Sequence, residues 1–227
     1  MLLVNPMVGF GAFARPATVA LTDNVLDTSD STTYTFTNRA IGSADSNRIV
    51  VVSIHTIDTG ANSVSSATIG GISATIVANA QHNPTNFAVS SLFYAVVPTG
   101  TTATIVANLA ASAFRCYAGV WTIYGALSSS PRDFGTATGN PSAVSGIDVP
   151  AGGVVVAAAS VQNPGVTGIT WTNASDAAGS GFDVAGEDAN ERYSGASAAF
   201  SSQQSGISIT ATANAATDMC AVAASWR

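Results

Sequence analysis

The feature that most constrains this chain is its rhythm. Runs of Thr, Val and Ile five to ten residues long are broken every 8 to 15 residues by clusters of Gly, Pro, Asn, Asp or Ser. Turn residues at that frequency leave no room for a long helical period, whereas side chains that alternate between two faces suit short strands. The chain therefore reads as all-β, an antiparallel β-sandwich of the jelly-roll or Ig-like kind. Strands are expected at 17–22, 33–38, 48–56, 66–70, 73–78, 87–97, 102–108 and 115–124. A second series is expected at 133–138, 144–149, 153–161, 167–172, 175–178, 193–203, 207–213 and 219–226. The run from Arg115 to Tyr124 is apolar on both faces, which predicts a central strand. Ala157, Ala158 and Ala159 would favour helix alone, but their Val and Ser neighbours make strand the better reading.

The two series echo each other. RIVVVSI (Arg48 to Ile54) parallels GVVVAAAS (Gly153 to Ser160), and GTTATIVAN (Gly100 to Asn108) parallels GISITATAN (Gly206 to Asn214). CYAGVW, from Cys116, and CAVAASW, from Cys220, follow in step. An internal duplication is expected, with similar halves of about 100 residues: an apolar arm over 1–16, a first sandwich repeat over 17–127 and a second over 128–227. Two tandem sandwiches and one merged two-sheet body both satisfy this pattern. The boundary falls in Ser128-Ser129-Ser130-Pro131.

At 227 residues the chain can bury a core without staples, and 47% hydrophobic against 9% charged residues excludes a disordered chain. All seven basic residues are arginines, and the net charge is −6. Phosphate backbones and anionic membranes are therefore not expected as partners. No run approaches the roughly 18 apolar residues of a membrane helix. The opening MLLVNPMVGFGAFARP lacks a basic leader and is broken by Asn5, Pro6, Gly9 and Gly11, which favours a docking arm over a cleaved signal. Its candidate contact residues are Leu2, Leu3, Val4, Phe10, Phe13 and Arg15.

Chemistry is sparse. No G-x-S-x-G elbow is present, and no spacing among Cys116, Cys220, His55 and His82 suits zinc, so no catalytic set, cofactor or metal is expected. His55, with Asp58 three residues on, has the makings of a general base but reads as a satisfied histidine at a strand end, and His82 as a loop residue. The cysteines read as two separate buried thiols. Asp183, Glu187, Asp188, Glu191 and Arg192 form a charged cluster without calcium-loop spacing, read as a solvated loop or subunit contact, as are Asp23, Asp27 and Asp30. Trp121 and Trp226 belong to apolar strands and to the core. Trp171, among threonines and with Tyr193 nearby, is a candidate platform for stacking a glycan.

A family resemblance rests on IGGISATIV (Ile69 to Val77), FYAVVPTGTTATIV (Phe93 to Val106), GVWTIYG (Gly119 to Gly125), VPAGGVVVAAAS (Val149 to Ser160), TWTN (Thr170 to Asn173) and AVAASW (Ala221 to Trp226). Together these strings resemble a group of bacteriophage and prophage proteins thought to be virion components. The resemblance covers most of the chain, and its motifs are turn punctuation rather than chemistry. It implies a β-sandwich subunit located in the virion, as capsid decoration or tail-associated protein, that forms homo-oligomers and contacts capsid or tail proteins without enzymatic activity. A carbohydrate-binding sandwich on a tail or cell-surface apparatus is the alternative.

Overall fold

The computed structural model describes residues 15–58, 62–82, 87–186, 190–215 and 219–227, and all of its regular elements are strands. The first half holds β1 (Thr18–Asp27), β2 (Ser31–Ala40), β3 (Ile49–Asp58), β4 (Val64–Ile69), β5 (Ile72–Ser73), β6 (Thr75–His82), β7 (Phe87–Val96), β8 (Thr102–Ala113) and β9 (Arg115–Tyr124). The second holds β10 (Asp133–Thr138), β11 (Ser142–Val149), β12 (Gly153–Gln162), β13 (Ile169–Thr172), β14 (Phe182–Ala185), β15 (Glu191–Phe200), β16 (Gln204–Ala213) and β17 (Met219–Trp226).

Two expectations need correction. The run 73–78 is not one strand. Gly70 and Gly71, at φ of 61° and 77°, make the tight hairpin that brings β5 back onto β4. At Ala74 the chain leaves that sheet, and β6 joins another. The segment 175–178 makes only a single bridge, from Ser175 to Ser197, and the strand comes later, as β14.

Each half is an antiparallel sandwich. The first pairs an inner sheet ordered β1-β9-β3-β7-β6 with an outer sheet ordered β2-β8-β4-β5. The second pairs β10-β17-β12-β15-β14 with β11-β16-β13. Reading β10 for β1, β11 for β2 and so on through β17 for β9, and passing over the two-residue β5, the order is the same in both halves. This interleaving is the jelly-roll one, except that β6 and β14 attach to the inner sheets.

The halves stack back to back, giving four layers rather than one merged two-sheet body. Val50, Val52, Ile54, Phe93, Ile105 and Val120 fill the first sandwich. Val144, Val155, Ala157, Ile209 and Ala221 fill the second. A third core lies between the inner sheets, where Ile49, Val51, Leu92 and Trp121 meet Val154, Val156, Val222 and Trp226. Strands β3, β9, β12 and β17 are thus covered on both faces, which is why their sequences are apolar without alternation.

The central layer is uneven in thickness. Along β6, β7, β12 and β17 small side chains, among them Ala80, Ala88, Ala158 and Ala224, let the sheets approach closely. Beside β9 and β15 the space is filled by Tyr117, Trp121, Phe182 and Tyr193, with Trp121 and Phe182 centroids 5.7 Å apart. Gly119 and Gly195 make room for these rings. A methyl group on Gly195 would run into Trp121 Cη2 and sit 2.7 Å from Phe182 Cε1. Gly195→Ala should therefore destabilise the protein by about 1–3 kcal/mol through overpacking, read as a shifted midpoint in urea unfolding. An unchanged midpoint would show that the aromatic wedge is looser than described.

Candidate functional site

The polar groups with chemical potential converge in the central layer. In the first inner sheet His55 of β3 stands opposite Ser90 of β7 on one side and Tyr117 of β9 on the other. In the second, Ser160 of β12 stands opposite Cys220 of β17 and Tyr193 of β15. The two rows face each other. His55 Nδ1 lies 3.1 Å from the Ala159 carbonyl and 3.0 Å from Ser160 Oγ, and Nε2 lies 2.9 Å from Ser53 Oγ. A carbonyl only accepts, so Nδ1 carries the proton and Ser53 donates to Nε2. Ser160 donates to the Val89 carbonyl at 2.8 Å, so in the 2.8 Å bond between the Ser90 and Ser160 hydroxyls Ser90 is the donor.

Every donor in this row has an acceptor, and each of its members is buried. Burial pushes the His55 imidazole down to about 3, against a smaller upward pull from the Ala159 carbonyl. The ring's partners are serines and a carbonyl. His55 is thus a satisfied histidine, placed within the strand and between two sheets rather than at a strand end. Burial likewise raises Cys220 to about 11 and Tyr117 to about 12. The arrangement ties two sheets together through neutral groups and offers no acid or base to solvent.

Beyond Tyr193 the acidic cluster splits in two. Glu191, 3% exposed, pairs with Arg115 at 3.0 Å and so joins the start of β15 to the start of β9. It also accepts from the Tyr193 hydroxyl at 3.3 Å. Glu191 is therefore a buried tie between the halves, not part of a solvated loop. Asp183 is held in a fork by Arg192, with bonds of 2.8 and 2.9 Å, across β14 and β15. Glu187 and Asp188 lie outside the described residues, and among the described residues no three His, Cys, Asp or Glu side chains converge as a metal site.

The two aromatics considered for glycan stacking do not form an exposed pair. Tyr193 is 0% exposed and stacks on Tyr117 at 5.7 Å. Trp171 is half-buried against the second sandwich core, and its indole N–H donates to Ser194 at 2.8 Å. In β13 the alternation of side chains turns Thr170 and Thr172 outward and Trp171 inward. Leu2, Leu3, Val4, Phe10 and Phe13 lie outside the described residues. Arg15 is exposed at the root of that segment, where the Ala17 amide donates to the Gly152 carbonyl at 2.8 Å.

Arg48 is the residue that sequence reasoning missed. Fully buried, it donates to the carbonyls of Val97, Gly42, Ser43, Gly100 and Thr99 at 2.8–2.9 Å, and so locks the β2–β3 loop to the β7–β8 turn. Its only signal was a cation directly before an apolar strand, and a guanidinium suits a fan of carbonyls better than any other side chain.

No family model matches the chain, and comparison with curated proteins and with solved structures likewise gives no match.

Two outcomes follow from this geometry. Because the His55 pKa is lower folded than unfolded, the unfolded chain binds the extra proton between about pH 6.5 and 3, and stability falls as pH falls through that window. The slope from this group is about 1.4 kcal/mol per pH unit. Urea titrations at several pH values should show that His55→Gln removes this component, and an equally steep slope in the variant would contradict the assignment. The free thiols lie apart, Cys116 in the first sandwich core and Cys220 in the central one. Reductant and chelator should leave the melting temperature nearly unchanged, and a fall of about ten degrees or more, which is several kcal/mol at this size, would overturn this reading.

Proposed function

We propose that the protein is a non-enzymatic structural subunit of a phage-type virion, a capsid decoration or tail-associated protein that acts through contacts with capsid or tail proteins and with copies of itself. The observation that carries this reading is where the reactive side chains are spent. His55, Ser160, Cys220, Tyr193 and Glu191 are all buried and hold two sandwiches together as one body. Such a stack suits load and lattice contact. The resemblance of its turn-punctuated strings to phage and prophage virion components supports the same reading.

Attachment rests on short-range contacts. With a net charge of −6 and no lysine, steering toward an acidic partner is unfavourable. Arg39 is already engaged with Asp23 at 3.8 Å. Leu127 and Phe134, 67% and 54% exposed, provide apolar surface instead. The subunit should therefore stay on its particle at about 1 M salt, where the Debye length falls to about 3 Å. Sedimentation of particles with bound subunit across a salt series measures this, and wholesale release at high salt would refute apolar attachment.

A further inference from the structure

The edges of the two inner sheets are not protected alike. β1 carries a bulge between Leu21 and Asp23, and the second half covers it where the Leu21 amide donates to the Gly179 carbonyl at 2.9 Å. β14 is only four residues long and carries the Asp183–Arg192 fork. β6 is interrupted by a bulge between Ile76 and Ala78. Bulges, charges, shortness and covering segments are the usual devices that stop an edge from pairing with another chain.

β10 carries only one of these, the charge of Asp133 at its first residue. It pairs with β17 in unbroken register from Asp133 to Thr138, is uncharged after Asp133, and forms the end of its sheet. Gly135 faces the second sandwich core, where a methyl would meet Val144 at 3.0 Å. Phe134, Thr136 and Thr138 point the other way and are exposed. Among the described residues, no backbone–backbone bond reaches the outer edge of this strand, where the Phe134 amide donates to the Asp133 carboxylate at 2.8 Å.

We propose that the outer edge of β10 receives the apolar N-terminal segment, residues 1–14, of a second copy of this chain, added as an antiparallel strand. This rests on the structural-subunit reading above and names the contact through which copies meet. Residues 1–14 contain no charged side chain, matching an edge that is uncharged over 134–138. Their length, at most about 50 Å when extended, is enough to leave one body and cover six residues of another. Their root at Arg15–Ala17 is fixed beside Gly152. Each subunit thus carries a donor and an acceptor at different places, the head-to-tail arrangement that builds rings or lattices.

The test compares full-length protein with a chain lacking residues 1–14 and with Phe134→Lys/Thr136→Lys, two exposed positions where lysine blocks an edge without entering a core. Sedimentation velocity should show self-association in the parent and its loss in both variants, the combination being no worse than either alone. Circular dichroism should show the parent fold in all of them. If truncation abolishes association and the lysine variant does not, β10 is not the acceptor, although the structural-subunit reading survives. A monomeric parent, or association unchanged by truncation, overturns the inference and removes the self-association from that reading. To separate neighbour from self, isotope-labelled Gly11→Cys chains are mixed with unlabelled Thr136→Cys chains under mild oxidation. Mixed-label disulfides are expected. Their absence, together with an intrachain bond in the doubly substituted chain, would overturn exchange between copies.

Discussion

Burying two sheets on both faces is the constraint on which the rest of this structure depends. A sheet in a simple sandwich can leave polar side chains on its outer face, but β3, β9, β12 and β17 have no outer face. Each polar group on them must find a partner inside or cost about 1–3 kcal/mol. His55, Ser53, Ser90 and Ser160 meet that demand by bonding to one another and to the carbonyls of Val89 and Ala159. Apolar burial supplies most of the attraction between the halves, since each large side chain in the central layer contributes about 1.5–3 kcal/mol and each neutral hydrogen bond only about 1. The polar row acts on register. Sliding one sheet past the other by a residue would orphan the whole row while leaving much apolar contact intact.

The same constraint explains the composition. Sheets that approach closely along β7 and β12 need alanine, serine and glycine, and sheets held apart beside β9 and β15 need aromatic rings with glycine across from them. Domains usually have two or three layers. A four-layer stack places charged residues at strand ends, where Arg115 meets Glu191 and Arg48 gathers five carbonyls. A chain with so few charges has spent three of them inside.

Much of the fold was legible because strand periodicity is local. Arg115–Tyr124 and 133–138 match the expected bounds, as does 219–226, and the two-faced apolarity of β9 pointed to a central position. The order of strands repeats between halves, as the paired strings suggested. The corner at Ala74 was not legible, since nothing in IGGISATIV marks where a chain changes sheets. Nor was the central layer, because burial on both faces looks the same whether the cover is a second sandwich or another subunit. That ambiguity misplaced Tyr193 and Glu191: their surroundings in sequence are polar, while their partners Tyr117 and Arg115 come from the other half, over 70 residues away.

The claim that the two sandwiches are one body joined across a neutral, fully bonded imidazole is tested most directly by following the His55 ring nitrogens by NMR as pH is lowered from 8 toward the onset of acid unfolding. The structure predicts a single neutral tautomer protonated at Nδ1, with shifts that stay constant over the whole native range. A ring that titrates near the ordinary histidine value, about 6.5, in the folded protein would mean that water reaches it, and that the inner sheets are not packed against each other as described.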